Sequence, residues 1–84
     1  MGNLSQRMLD IVDLESRVKN AIENATVNVD TDGYYYNFSV VSDSFEGLNQ
    51  VKRQQMVYAG LNDLIADGSL HALNIVAKAP SELE

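Results

Sequence analysis

Apolar residues recur along this chain with two different periods, and the change from one to the other lays out its elements. From Asp13 onward Leu14, Val18, Ile22 and Ala25 return every three or four positions, with Glu15, Arg17, Lys19 and Glu23 between them. That spacing gathers one apolar stripe on an amphipathic helix. Asp13 is placed to cap it, because an Asp side chain there accepts from a backbone N–H that the helix leaves unpaired. The helix is expected to end near Asn24, whose side chain competes for the same backbone groups. The stretch MGNLSQRMLD before it keeps no sustained period. Residues 1–12 are therefore expected to form a flexible leader and residues 13–84 a single domain.

The period then drops to two. In TVNVDTDGYYYNFSVV, β-branched and aromatic residues flank Asp32-Gly33, a pair that tolerates the positive φ of a tight turn. The stretch reads as a β-hairpin. In its second strand Tyr34, Tyr36, Phe38 and Val40 share one face, and Tyr35, Asn37, Ser39 and Val41 share the other. The first set is the more apolar and is expected on the core, with Tyr34 and Tyr36 at its edge, while Tyr35 points outward.

After the turn formers of SDSFEGLN a second helix is expected from about Leu48 to Ala66. Its buried side would carry Val51, Val57, Tyr58, Leu61, Leu64 and Ile65, leaving Lys52, Arg53, Met56, Asn62 and Asp63 mostly solvated. Gly68 would close that helix from the C′ position. LHALNIVAKA then reads as a strand with His71, Leu73 and Ile75 at one parity, stopped by Pro80. The order is helix, strand, strand, helix, strand. A crossover helix returns the last strand parallel to the one before it, which makes a three-stranded mixed sheet. Each helix has one apolar stripe to bury, so both cover one face and leave the other open. The fold class is α+β.

Composition narrows what such a domain does. Twelve acidic residues against six basic ones give a formal net charge of −6 over 84 residues. Nucleic-acid binders draw most of their affinity from basic side chains on phosphates, so this balance argues against nucleic acid as the main partner. The chain has no cysteine, hence no disulfide, thiol nucleophile or thiolate metal site of its own. It has no long apolar run and no secretory leader, which points to the cytoplasm and away from a membrane.

No catalytic set is visible: no H-E-x-x-H, no Walker glycine loop and no Ser-His-Asp order. Asp30 and Asp32 stand close in sequence, but Asp is favoured in turns for backbone reasons. An enzyme is not expected. The one histidine, His71, is incomplete as a metal site, since a transition-metal or cluster site needs about four donors. A lone histidine at the start of a strand is more often structural or solvated than a ligand. Lys52-Arg53 reads as an ordinary solvated helix face.

Three pieces of sequence at compatible spacing change the reading of His71. They are the F-x-G turn at Phe45 and Gly47, V-K-R at Val51 to Arg53, and H-A-L at His71 to Leu73. Together with the order of elements, the segment from VVSDSFEGLNQVKRQQMVY through IADGSLHALNIVAKAPSE resembles the BolA family, and within it the IbaG-like branch. The similarity runs from about Leu14 to Glu82. It implies a helix–hairpin–helix–strand fold similar to a type II KH domain. For function it implies a non-enzymatic adaptor that binds a monothiol glutaredoxin of the CGFS type and takes part in [2Fe–2S] cluster assembly, trafficking or iron regulation. The cluster would be shared with the glutaredoxin and glutathione, and absent from the free protein.

By that resemblance the family's C-terminal histidine falls on His71, which becomes the cluster ligand, while Tyr35, Lys52, Arg53 and His71 become the partner-binding surface. Many family members carry a second ligand, His or Cys, near the hairpin loop, and an ungapped reading puts it at Tyr35. From Asp30 to Tyr36 this chain has neither. A phenol in that place must lose its proton to bind metal, which is costly at neutral pH. Two rival readings remain open. One is a KH-like nucleic-acid-binding transcriptional regulator, for which the sequence lacks the G-x-x-G loop of a KH domain. The other is a homodimer formed through the open sheet face.

Overall fold

The structure, a computed structural model, describes residues 9–83. Its elements are α1 (Ile11–Ala21), β1 (Thr26–Thr31), β2 (Tyr36–Val41), a 3-10 turn (Asp43–Phe45), α2 (Gln50–Ala59), α3 (Asn62–Ala66), β3 (Leu73–Lys78) and a second 3-10 turn (Pro80–Leu83). The sheet order is β1-β2-β3. β1 and β2 are antiparallel, with Val29 opposite Phe38, and β2 and β3 are parallel, with Phe38 beside Ile75. This is the expected α+β mixed sheet.

Burial alternates along the strands as a sheet covered on one side requires. Val27, Tyr36, Phe38, Val40 and Ala77 are buried, while Asn28, Asn37, Ser39, Asn74 and Val76 are exposed. The covered face meets Leu14, Val18 and Ile22 from the first helical segment and Val57 and Leu61 from the second. On the open face Asn74 donates an amide hydrogen to the Asn37 side chain at 3.0 Å. Among the described residues no helix is long and apolar enough to cross a membrane.

The first helix begins earlier than expected. Its N-cap is Asp10, not Asp13: the Asp10 carboxylate accepts from the Val12 N–H at 3.0 Å, and its carbonyl accepts from Leu14. Asp13 lies in the first turn, bonded to Arg17 four residues on at 3.0 Å. The helix ends at Ala21, before Asn24, which takes a left-handed φ of +56°. Ala25 therefore lies outside it. Of the expected leader, Ile11 and Val12 belong to the helix, Asp10 caps it, Leu9 packs against the core, and residues 1–8 lie outside the described residues.

The second helix is two helices. It is interrupted at Gly60, where a Cβ would lie 2.8 Å from the carbonyl oxygen of Arg17 and 3.2 Å from the Ala21 Cβ. The close approach of α1 to the end of α2 needs a residue without a side chain. Leu61, the N-cap residue of α3, then lies fully in the core. α2 is also rotated from the expected setting. Val51 is 64% exposed and Tyr58 36%, whereas Arg53, expected on the solvated side, is 4% exposed. Gly68 terminates α3 with a φ of +82°, as its position in the sequence implied.

The rotation of α2 has a polar cause. The Arg53 guanidinium donates to the Leu48 carbonyl at 2.8 Å, to the Ala77 carbonyl at 3.1 Å and to both oxygens of Glu82. It also lies 5.8 Å from the centre of the fully buried Phe45 ring. A charge taken out of water is tolerable only when its donors are satisfied, and here they are. Phe45 and Arg53, two of the quoted motif residues, thus hold the fold together.

Candidate functional site

The hairpin loop is shaped by its first residue. One Asp32 carboxylate oxygen accepts from the N–H of Tyr34 at 2.9 Å and of Tyr35 at 3.0 Å. The Thr31 hydroxyl donates to the Tyr35 carbonyl at 2.9 Å and accepts from the Gly33 N–H at 3.0 Å. Gly33 takes φ of +101°, which only glycine adopts without strain. The N–H groups of Tyr34 and then Tyr35 hold the Asp32 carboxyl below the usual carboxylate range. Side-chain capture of the backbone makes a loop of four residues, 32–35, in place of a two-residue turn.

This corrects the placement of Tyr34. Strand parity put it on the core edge, yet it lies in the loop and is 58% exposed. Tyr36 is the first residue of β2 and is buried, so parity holds from there on. Tyr35 is exposed, as expected, but as a loop residue.

The second wall of the site is the turn between α3 and β3. Asp67 accepts from the Ser69 N–H at 2.8 Å. Leu70 and Ala72 are both buried, and His71 between them is turned out to solvent. It precedes β3 and does not lie on it. Its Nδ1 is 3.3 Å from the Gly68 carbonyl oxygen. The two walls are tied at their base, where the Tyr36 N–H donates to the Ala72 carbonyl at 2.8 Å.

That tie brings three rings together at one end of the sheet. Tyr34 meets His71 edge to face, with ring centres 5.5 Å apart and planes at 74°. Tyr34 also meets Tyr35 at 5.1 Å and 87°. The hairpin loop and His71, some forty residues apart in sequence, form one surface, and the loop residue in contact with the imidazole is Tyr34. The sequence carried the signal in Asp32, whose side chain decides where the strand begins.

Lys52 and Arg53 do not join this surface. Arg53 reaches Ala77, near the far end of β3, and β3 spans about 20 Å from the end that His71 precedes. Lys52 is exposed beside it, and Arg53 is committed to Glu82. A shallow groove lined by Gln50, Ile75, Val76, Ala77, Lys78 and Glu82 lies at that far end as well. It contains none of the groups near His71.

The donor set bears on any bound metal. Among the described residues no group of three or more His, Cys, Asp and Glu side chains is placed to hold a metal ion. The chain offers one imidazole nitrogen on an open surface, which fits a ligand shared with a partner that brings the rest. It does not fit a site closed within this protein.

Comparison with known proteins agrees with this architecture. The model of the BolA-like protein family matches residues 2–82. The acid stress protein IbaG of Escherichia coli strain K12 is 37% identical over 70 residues, which cover 83% of each chain. BolA1 from Arabidopsis thaliana superposes with a TM-score of 0.72 at 33% identity, over 86% of this chain and 93% of that one. A bolA protein homologue from Coxiella burnetii shares the fold, with a TM-score of 0.75 at 23% identity over 90% of this chain and 97% of that one. The sequence motifs, the fold and these matches agree, and the chain belongs to the BolA family as an IbaG-like member.

Proposed function

We propose that this protein is a non-enzymatic adaptor that docks a monothiol CGFS glutaredoxin and supplies His71 as its one ligand to a shared [2Fe–2S] cluster. The observation that carries the reading is the position of His71. Its imidazole is exposed, held on one side by a backbone carbonyl and on another by Tyr34, at the edge of a surface built from two tied turns. An imidazole with one nitrogen engaged by a carbonyl and the other free has the arrangement of a metal-ligating histidine. The thiolates that complete such a cluster would come from the glutaredoxin and glutathione, since this chain has no cysteine.

The docking surface in this reading is the hairpin loop, with Tyr34 and Tyr35, next to His71. Lys52 lies toward the other end of β3, and Arg53 serves the fold. The test is to mix the protein with cluster-loaded CGFS glutaredoxin and glutathione, then follow visible absorption, circular dichroism and complex mass. Wild type is expected to form a heterocomplex and alter the cluster spectrum, and His71→Ala to leave the spectrum as it was. Identical spectra from the two mixtures would sink the ligand role.

A further inference from the structure

We propose that Tyr34 is a positioning residue which, with the Gly68 carbonyl, fixes the His71 imidazole as its Nδ1–H tautomer and so makes Nε2 the nitrogen the site presents. Its use in ligation rests on the reading above, but its geometry does not. A neutral imidazole carries one hydrogen on either of two nitrogens, and the partner of one sets the role of the other. A carbonyl oxygen only accepts. The Gly68 oxygen at 3.3 Å from Nδ1 therefore favours the form with hydrogen on Nδ1 and the lone pair on Nε2. Free histidine in water prefers the opposite tautomer, so the surroundings must select this one.

A contact of that length does not by itself hold a solvent-exposed ring. The second restraint is the Tyr34 ring, standing against the imidazole at 74°. Tyr34 is itself held by Asp32 through its N–H and by Tyr35 through an edge-to-face ring contact. With 58% of its surface exposed, Tyr34 contributes little to the core. Its ring contacts are with Tyr35 and His71. Two turns with glycines at positive φ, at Gly33 and Gly68, bring the three groups into register.

The experiment reads the tautomer directly in the free protein. Long-range proton–nitrogen correlation spectra of the nitrogen-15-labelled chain, taken where the imidazole is neutral, distinguish hydrogen on Nδ1 from hydrogen on Nε2. Wild type and Tyr34→Phe are expected to show Nδ1–H as the major form. Tyr34→Ala is expected to move the ratio toward Nε2–H by roughly two- to tenfold, the range an edge-to-face ring pair is worth. A wild-type spectrum dominated by Nε2–H overturns the proposal, and so does a Tyr34→Ala ratio equal to wild type. No glutaredoxin or cluster enters this measurement. If the tautomer is as stated while His71→Ala leaves the cluster spectrum of the mixture unchanged, the positioning role stands and the ligand reading falls.

Discussion

Arg53 and Glu82 meet in a two-pronged ion pair, Nη1 to Oε1 at 2.7 Å and Nη2 to Oε2 at 2.9 Å, that ties α2 to the C-terminal turn across the end of β3. Glu82 also accepts from the Ala79 N–H at 2.9 Å, so one carboxylate secures both the helix and the chain leaving the sheet. Replacing Arg53 by Ala would take its donors from the Leu48 and Ala77 carbonyls and the Glu82 carboxylate. Losing a buried side chain together with those hydrogen bonds is strongly destabilising. Arg53→Ala is expected to lower the melting temperature by about 10 °C or more. Glu82→Gln is expected to cost less, because the Glu82 side chain is 44% exposed and water reaches the pair. Thermal unfolding of the two variants and wild type checks the order.

The same pair predicts a pH window. Arg53, and then the Ala79 N–H, lower the Glu82 carboxyl from its ordinary 4.5 to about 2. A carboxyl whose folded pKa lies below its unfolded one stabilises fully above the unfolded value and loses that contribution as pH falls through the folded one. The stability difference between wild type and Glu82→Gln should therefore be constant from neutral pH down to about 4.5 and shrink below it. Urea unfolding across that range measures it. A difference that already fades between neutral pH and 5 would contradict the assignment.

Gly60→Ala tests the packing of α1 on α2. The backbone at Gly60, with φ of −83° and ψ of −6°, suits any residue. Replacing glycine at such a site would ordinarily stabilise by about 0.4–1 kcal/mol through the unfolded chain. Here the new Cβ meets a backbone oxygen at 2.8 Å, and backbone cannot swing aside. Overpacking, worth about 1–3 kcal/mol, is expected to win, giving a net loss of stability in denaturant unfolding.

His71→Ala should separate function from stability. The side chain is exposed and outside the core, so the unfolding free energy should stay within about 0.5 kcal/mol of wild type. Its effect should fall on the cluster spectrum of the glutaredoxin mixture. A large loss of stability would instead mark the histidine as structural.

A second imidazole should be most effective where the structure, rather than the ungapped alignment, places the neighbour of His71. Tyr34→His is expected to bind zinc more tightly than Tyr35→His, because position 34 already stands against the imidazole and position 35 meets it only through Tyr34. Isothermal titration with zinc, with wild type as reference, ranks the three. Equal affinities for the two variants would show that the loop does not hold the geometry described.

The order of helices and strands is legible in the residues alone, because it follows from local period, though the second helix divides in two at Gly60. Leu14 and Val18, four residues apart, became a helix face continued by Ile22 just past its end, and Tyr36, Phe38 and Val40 repeat every two and became the buried face of β2. Gly68 ended a helix and the five-element order fixed a mixed sheet, both for reasons of backbone conformation and chain connection. The BolA motifs and the single His71 were likewise legible as residues at fixed spacing.

Relations between distant residues are not legible in that way. Period alone put Arg53 outside, since it assigns a charged residue to water. The fold buries it because Glu82, Ala77 and Leu48 arrive from three other segments to satisfy its donors. Period likewise carried Tyr34 into a strand, where the Asp32 carboxylate instead captured its N–H and turned its ring onto His71. Position 60 has no room for a side chain because α1 passes against it. At Arg53 and Gly60 contacts across the fold outweighed a local preference worth less and have no signature in spacing along the chain, whereas at Tyr34 a local side-chain bond from Asp32 outweighed strand parity.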